Sequence, residues 1–354
     1  MRIASVEVVP YALPFREPYV TAAGSLTQRE MVLLRLWDDD GLIGLGEAVP
    51  LSLRGGASLS QVAEELRLLG GRETLDEQSL RDDALVLSAP ARCAALTALL
   101  DLRGKRVTAE GGVSSGPTLP VCCNATLTAG DPATVVSAAE SWAADGFSTF
   151  KLKLGSGDDA AQVRAVREAL GPRAQIRVDA NGAWDVETAK RTLSELEPYE
   201  VELAEQPVGT LEEAMEVARS TSIPLAGDES IESRADAERA VAMEACRMTG
   251  VKLSKVGGPE SAVEIAEVLP AYLSSALDGP VGIAAAAQVA ATLGEAVSGG
   301  PDLAHGLATQ RLFASTIASV ECRFESDMLH LPEGPGLGVE IDEDALQAHR
   351  LDAR

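Results

Sequence analysis

Three evenly spaced carboxylates are the residues of this chain best placed to do chemistry. Asp179 lies in Ile-Arg-Val-Asp-Ala-Asn, Glu205 in Leu-Ala-Glu-Gln-Pro and Asp228 in Leu-Ala-Gly-Asp-Glu-Ser. Lys151-Leu152-Lys153 precedes them, and Lys252-Leu253-Ser254-Lys255 follows. Successive members are roughly 25 residues apart, about the length of one strand–helix unit. Five such units, each delivering ionisable groups at the end of a strand, form the pattern by which a (β/α)8 barrel builds an active site.

Oxygen ligands without a neighbouring Cys or His suit a hard, octahedral cation, so the carboxylates predict Mg²⁺, with Mn²⁺ as a substitute. Lysines beside such a cation suit removal of a proton from the carbon next to a carboxylate, because the metal stabilises the enediolate while a lysine moves the proton. Lys151 and Lys153 are two apart on one strand and face the same way, and the charge of Lys151 favours the neutral, proton-accepting form of Lys153. Lys252, three residues before Lys255, is predicted to face the other side of its strand, away from the site.

Five motifs in order carry a family resemblance: Lys-Leu-Lys-Leu-Gly, Val-Asp-Ala-Asn-Gly-Ala-Trp, Glu-Gln-Pro, Gly-Asp-Glu-Ser and Lys-Leu-Ser-Lys-Val-Gly-Gly. With these motifs the chain resembles the enolase superfamily, in particular its muconate-lactonizing subgroup, over nearly its whole length. The resemblance implies that the metal ligands are Asp179, Glu205 and Asp228. It further implies that Lys153 and Lys255 form an acid/base pair and that Lys151 supports Lys153. Asn181 and Glu229 would be electrostatic helpers.

The predicted fold class is α/β: a (β/α)8-type, TIM-like barrel with an α+β N-terminal capping domain that the C-terminal segment completes. The expected division is a cap over 1–117, a barrel over 118–319 and a returning segment over 320–354. Alternating or helical patterns predict cap strands at 1–14 and 31–48, cap helices at 59–70 and 76–105, a first barrel strand at 119–127 and late barrel strands at 271–276 and 302–307. Asp131-Pro132 predicts the start of a barrel helix.

The reaction is less clearly encoded than the fold. The segment from Leu273 to Ile283 resembles the same stretch of o-succinylbenzoate synthases, which dehydrate a cyclohexadiene carboxylate bearing a succinyl chain. That resemblance implies that Ser275 and the N-terminus of the following helix hold a substrate carboxyl group. An N-acylamino acid racemase or dipeptide epimerase, or a muconate-type cycloisomerase, remains the alternative. A barrel that binds a ligand without catalysis is the alternative outside the enzymes, and the presence of all five charged positions weighs against it.

Two cap loops, 16–26 and 49–58, are predicted to close over the barrel and recognise the distal part of the substrate. Tyr19 offers an aromatic wall. Arg54, followed by two glycines, either attracts an anionic substrate or pairs with a surface acid. His305, near the end of the eighth strand, either lines the pocket or has a structural role.

The composition bounds the partners. A net charge of −24 argues against nucleic acid and anionic membranes, which leaves a small carboxylate substrate as the expected partner. The five cysteines are predicted to be reduced core thiols, and the N-terminus lacks the apolar block of a signal peptide, so a cytoplasmic enzyme is expected. The barrel helices show no legible interface, and a homo-oligomer remains open.

Overall fold

A computed structural model describes residues 1–21, 24–50, 55–71, 75–112, 119–155, 157–296 and 303–352. The strands are β1 Arg2–Thr21, β2 Gly24–Asp38, β3 Ile43–Ala48, β4 Leu75–Asp76, β5 Val121–Cys122, β6 Ala125–Leu127, β7 Thr149–Lys153, β8 Gln175–Asp179, β9 Val201–Glu205, β10 Leu225–Gly227, β11 Met248–Val251, β12 Ala271–Leu273, β13 Ala318–Val320, β14 Arg323–Glu325, β15 Met328–His330 and β16 Glu340–Ile341. The helices are α1 Leu59–Leu69, α2 Glu77–Ala84, α3 Ala89–Ala109, α4 Pro132–Ala144, α5 Asp159–Leu170, α6 Val186–Leu196, α7 Leu211–Ala218, α8 Arg234–Met243, α9 Leu253–Val256, α10 Pro259–Ala266, α11 Pro280–Ala296 and α12 Glu343–His349.

The cap is a four-stranded antiparallel sheet, ordered β3-β2-β1-β4, with three helices against it. Its strands run longer than the sequence pattern predicted, because β1 and β2 stay paired nearly to the tip of their hairpin. Two glycines bring β3 close to α3: a Cβ at Gly44 or Gly46 would lie about 2 Å from the backbone oxygen of Ala98 or Ala94. This close contact fixes β3, and the residues that it carries, to α3.

The barrel sheet has seven parallel strands in the order β6 to β12. Parallel bridges from His305 to Cys123 and from Gly306 to Ser274 link its two edges, so residues 305–306 act as the eighth strand. The predicted fold class is therefore confirmed: an α/β barrel of the (β/α)8 type with an α+β cap.

Side-chain capping sets where the barrel helices begin. Asp131 accepts hydrogen bonds from the backbone N–H groups of Ala133 and Thr134, and α4 starts at Pro132, as its sequence predicted. Asp185 caps α6 in the same way. Each helix returns the chain to the base of the barrel, so consecutive strands end at the same face.

The C-terminal residues return to the cap. The backbone N–H of Ala314 donates to Pro14 O (2.8 Å), and that of Leu351 donates to Pro10 O (2.9 Å). Arg35, on β2, pairs with Glu343 of α12 across 308 residues of sequence. The domain boundaries at 117 and 319 stay predictions. Among the described helices, none is both long and apolar enough to cross a membrane.

Candidate active site

The register of the barrel strands brings the charged residues to one level. Lys153 is paired with Asp179 across β7 and β8, and Asp179 with Glu205 across β8 and β9. In a parallel sheet, residues that share a level also share a face. The three therefore meet at the carboxyl ends of adjacent strands, where the even spacing in the sequence placed them.

Two lysines bind the first two carboxylates directly. Lys151 Nζ lies 2.6 Å from Glu205 Oε2 and 2.8 Å from Asp179 Oδ2. Lys153 Nζ lies 2.6 Å from Asp179 Oδ2 and donates to Asn181 Oδ1 at 3.0 Å. All of these groups except Asn181 are buried. The predicted pair of lysines on one strand face is present.

The prediction that Lys252 faces away from the site is wrong. Lys252 Nζ contacts Asp228 Oδ2, while Lys255 Nζ contacts the main-chain oxygen of Asp228 and lies 2.9 Å from its Oδ1. The strand β11 ends at Val251, and a helical turn follows. The alternation of side chains between the two faces of a strand therefore does not continue as far as Lys255. Counted from Met248, whose side chain packs inside the barrel, Lys252 points inward, and the turn then brings Lys255 to the same carboxylate.

The electrostatics reflect this pairing. Burial opposes the charge of Lys151, but the carboxylates of Asp179, Glu205 and Asp228 outweigh burial and raise the pKa of Lys151. Burial likewise favours a neutral Asp179, but Lys151 and Lys153 lower its pKa below the usual range. Lys255 differs, because burial lowers its pKa despite the contact with Asp228.

Gln206, which follows Glu205 in the Glu-Gln-Pro motif, organises the backbone around the third carboxylate. Gln206 Oε1 accepts from the backbone N–H groups of Asp228 (2.8 Å) and Ser230 (3.2 Å), and its Nε2 donates to Val208 O. The predicted helpers lie beside it, and Asn181 Nδ2 donates to Glu229 Oε1 at 3.1 Å. Gln206 and Asn181 both adopt the left-handed backbone region, with φ of 39° and 50°. The Glu-Gln-Pro motif was the available signal for Gln206.

The carboxylates suit a cation. Among the described residues, no three carboxylates, cysteines or histidines converge closely enough to form a finished metal site, and lysine ammonium groups contact the oxygens instead. Glu205 Oε1 is buried and accepts no hydrogen bond from the described part of the chain. A buried acceptor of this kind costs free energy unless something binds it. The oxygen ligands and this open position fit a hard divalent cation.

Ser275 lies in a loop whose hydrogen bonds are already made. Its Oγ donates to Asp278 Oδ2 (2.7 Å) and accepts from the Asp278 backbone N–H (2.8 Å). The N-terminus of α11, predicted to hold a substrate carboxyl group, binds a carboxyl group of the protein itself. Glu47, from β3 of the cap, accepts from the Gly279 N–H at 2.6 Å. In this structure a substrate would have to displace Glu47 to bind there.

Glu47 belongs to a buried cluster at the junction of cap and barrel. Tyr11 donates its hydroxyl to Glu47 Oε2 at 2.8 Å, and Ser254, next to Lys255 in the sequence, donates to Asp278 at 3.4 Å. Burial, and then the charge of Asp278, raise the pKa of Glu47 to about 8. A carboxyl group with that pKa is largely protonated at neutral pH.

Of the remaining predicted site residues, the structure describes Tyr19 and His305. Tyr19 is buried, stacks on Phe15 (5.7 Å between ring centroids) and lines an open groove of about 880 Å³ against α4. His305 Nδ1 accepts from the Leu273 backbone N–H, and burial, with the charge of Arg177, lowers the pKa of His305 to about 4. This bond supports the structural alternative for His305. Arg54 lies outside the described residues.

Two family models match the chain. The model described as Enolase C-terminal domain-like matches residues 133–345, and the Mandelate racemase / muconate lactonizing enzyme, N-terminal domain matches residues 3–110. The chain belongs to the enolase superfamily. The predicted muconate-lactonizing subgroup is confirmed with it, and this enolase-superfamily chain is an enzyme of lyase or isomerase type.

Similar proteins have three different activities. An o-succinylbenzoate synthase of Thermobifida fusca is 39% identical over 251 residues, which cover 67% of this chain and 75% of that protein. The structure resembles a muconate lactonizing enzyme from Pseudomonas fluorescens complexed with muconolactone, with a TM-score of 0.87, 28% identity and coverage of 99% of each chain. It also resembles a dipeptide epimerase from Enterococcus faecalis V583 complexed with Mg and the dipeptide L-Leu-L-Tyr, with a TM-score of 0.86, 25% identity and coverage of 96% of this chain and 100% of that one.

Proposed function

We propose that this protein is a Mg²⁺-dependent o-succinylbenzoate synthase, which removes a proton next to a carboxylate and eliminates water from a cyclohexadiene carboxylate carrying a succinyl chain. The observation that carries the chemistry is the placement of lysines on two sides of one carboxylate centre, Lys153 at Asp179 and Lys252 at Asp228. The similarity to the Thermobifida fusca synthase supports the choice of substrate.

Asp179, Glu205 and Asp228 are the residues that would hold the cation. When bound, a divalent cation supplies the positive charge that stabilises the doubly negative form of the substrate carboxylate. Lys153 removes the proton from the neighbouring carbon and then returns it to the departing hydroxide, so that water leaves. Lys151 is held charged by Glu205 and Asp179, beside Lys153 on the same face of β7.

The roles of Lys252 and Lys255 differ. Lys252 directly follows the end of β11 and contacts Oδ2 of Asp228, so we assign to it the position across the substrate from Lys153. Lys255 is bound to the main-chain oxygen as well as to Oδ1 of Asp228. We assign to Lys255 the task of orienting this carboxylate. The acid/base pair that the sequence suggested, Lys153 and Lys255, thereby becomes Lys153 and Lys252.

Racemisation or epimerisation of an N-acylamino acid or dipeptide is the second candidate. The same lysine placement favours it, because an acid and a base on opposite faces of one carbon can invert that carbon. A dehydration, in contrast, needs an acid/base group on only one face of the substrate. Substrate conversion therefore has to separate the two reactions.

Solvent-deuterium exchange with a panel of substrates tests the proposal. We expect conversion of the hydroxycyclohexadiene carboxylate to its aromatic product, loss of that activity with a chelator and recovery with Mg²⁺. Exchange and racemisation of N-acylamino acids without dehydration would support the second candidate. Ligand binding without exchange on any member of the panel would support a non-catalytic barrel.

A further inference from the structure

The Glu205 carboxylate is held asymmetrically. Its Oε2 receives two donors, the Lys151 ammonium at 2.6 Å and the hydroxyl of Tyr272, while its Oε1 is the buried acceptor without a protein donor in the described ranges. Both protein donors thus hold one oxygen and leave the other for an external positive charge. Lys151 supplies charge, but it is shared with Asp179. Tyr272 binds no other carboxylate in the described hydrogen bonds.

Tyr272 is itself fixed by its surroundings. Its side chain is 0% exposed and packs inside the barrel with Leu203, Ala226, Met248 and Leu303. The Arg177 guanidinium lies 5.2 Å from the centre of its ring, an attractive arrangement of a cation over an aromatic face. Arg177 is held in turn by Glu202, at 2.6 Å, and by the Ala304 carbonyl oxygen. The hydroxyl that reaches Glu205 therefore has little freedom to move.

Space around the ring is equally restricted. A Cβ at Gly250 of β11 would lie 3.1 Å from the Tyr272 hydroxyl oxygen and 3.2 Å from its ring carbons. Because Gly250 has no side chain, the Tyr272 ring can occupy the position from which its hydroxyl contacts Glu205. The contact thus depends on a residue of the adjacent strand as well as on the tyrosine.

We propose that Tyr272 is a positioning residue that turns the Glu205 carboxylate so that Oε1 is presented to the divalent cation. This rests on the proposed function only in so far as Glu205 binds a metal. Partners that orient a metal ligand typically change metal affinity about 10- to 100-fold when they are removed. The alternative is that Tyr272 only fills the interior of the barrel.

Tyr272→Phe tests the proposal because it removes one oxygen and leaves the packing ring. We expect the Kd for Mg²⁺, measured by isothermal titration calorimetry without substrate, to rise about tenfold. Tyr11→Phe is the matched control. Tyr11 is also 0% exposed and also donates to a buried glutamate, Glu47, but that glutamate is no predicted ligand. We expect Tyr11→Phe to lower the melting temperature about as much and to leave the Kd for Mg²⁺ unchanged.

The outcomes separate this proposal from the proposed function. If the wild type binds Mg²⁺ and Tyr272→Phe binds it within twofold of the wild type, Tyr272 has no positioning role although the metal assignment holds. If the wild type does not bind Mg²⁺ and is active without it, both the positioning role of Tyr272 and the proposed Mg²⁺-dependent function are wrong. Should Tyr272→Phe fail to fold, Gly250→Ala displaces the hydroxyl without removing it. A rise of a few fold in the Kd supports the proposal, and an unchanged Kd overturns it.

Discussion

The protein buries carboxylates in two regions and treats their charge in opposite ways. At the barrel mouth, Asp179 contacts two lysine ammonium groups, which lower its pKa. At the cap junction, Glu47 contacts a hydroxyl and a backbone N–H, and the charge that acts on it most strongly is the like charge of Asp278. Its pKa is raised to about 8. Burial is similar in the two regions, so the partners decide which carboxyl group stays ionised.

This difference separates two tasks. Ionised carboxylates with lysine partners can exchange those partners for a metal and release ammonium groups for proton transfer. A protonated carboxyl group held by neutral donors can join two domains without an unpaired charge, which would be costly to bury. The first arrangement is suited to chemistry and the second to holding the cap on the barrel. The following variants test this division, starting with the largest effect.

Glu205→Gln should abolish the chemistry. An amide replaces a charged ligand, so we expect Mg²⁺ affinity to be lost and turnover to fall by about 10³-fold or more. Calorimetry and steady-state assays measure the two effects. Circular dichroism should show an intact fold, because the ligand lies at a strand tip. Activity in this variant that persists after chelator treatment would contradict the assignment of Glu205 as a metal ligand.

Lys252→Met should cost about 10²- to 10⁴-fold in turnover of a racemase, the usual range for a missing acid or base. Isotope exchange would then be lost from one enantiomer and retained from the other. In a synthase, where Lys153 performs both proton transfers, we expect a smaller loss through the missing positive charge. Lys255→Arg is the comparison, and it keeps the charge that orients Asp228. A larger loss in Lys255→Arg than in Lys252→Met would reverse the roles that we assign.

Glu47→Ala should lower the free energy of unfolding by about 2–4 kcal/mol, because the Tyr11 hydroxyl and the Gly279 N–H lose their buried acceptor. Glu47→Gln should cost about 1 kcal/mol or less near pH 6, since it resembles the protonated acid. Urea denaturation measures both. Equal losses in the two variants would show that the hydrogen bonds of the carboxyl oxygens contribute little.

The pH dependence of Glu47 has a definite sign. Its pKa in the folded protein, about 8, is above its ordinary value of 4.5, so the folded state retains a proton that the unfolded state releases. Relative to Glu47→Gln, the stability of the wild type should be greatest below pH 4.5. It should then fall by up to about 1.4 kcal/mol per pH unit as the pH rises towards 8, and level off above that. A difference that does not change with pH would mean that Glu47 is ionised in the folded protein.

Arg54→Ala tests the cap-loop charge that the sequence predicts to attract an anionic substrate, and it should have the smallest effect. If Arg54 attracts the anionic substrate, its loss should raise KM about tenfold, or about 1.4 kcal/mol, with less effect on kcat. Steady-state kinetics with the dicarboxylate substrate measure this. A KM within twofold of the wild type would leave substrate recognition to other groups.

The sequence predicts which charged side chains converge where those side chains follow strand ends in regular order. Asp179, Glu205 and Asp228 could be found because their spacing matches the strand–helix unit. Strand alternation continued through Lys255 places Lys252 on the wrong face, because these residues form a helical turn and the end of a short strand is hard to read from sequence. The sequence gives no sign of a functional role for Tyr272, because an aromatic residue in an apolar strand is typical of the hydrophobic core.

Contacts between segments far apart in the chain could not be predicted from the sequence either. Nothing near Ser275 indicates that Glu47, from another domain, takes the helix N-terminus that a substrate was expected to use. The broad architecture was predictable because its repeat is local. The occupants of particular hydrogen bonds were not, because they depend on how two domains meet.

The return of the C-terminal residues to the cap has a consequence for the order of synthesis. Arg35 can pair with Glu343 only after a further 308 residues have been made, and Tyr11 forms an antiparallel β-bridge with Arg350. At roughly 5–20 residues per second, a ribosome needs about 15–60 seconds to make that stretch. During this interval one edge of β1 lacks the segment that pairs with it, and exposed strand edges invite aggregation. The cap, although translated first, is finished last, and we expect the nascent chain to be most dependent on chaperones while the barrel is still being made.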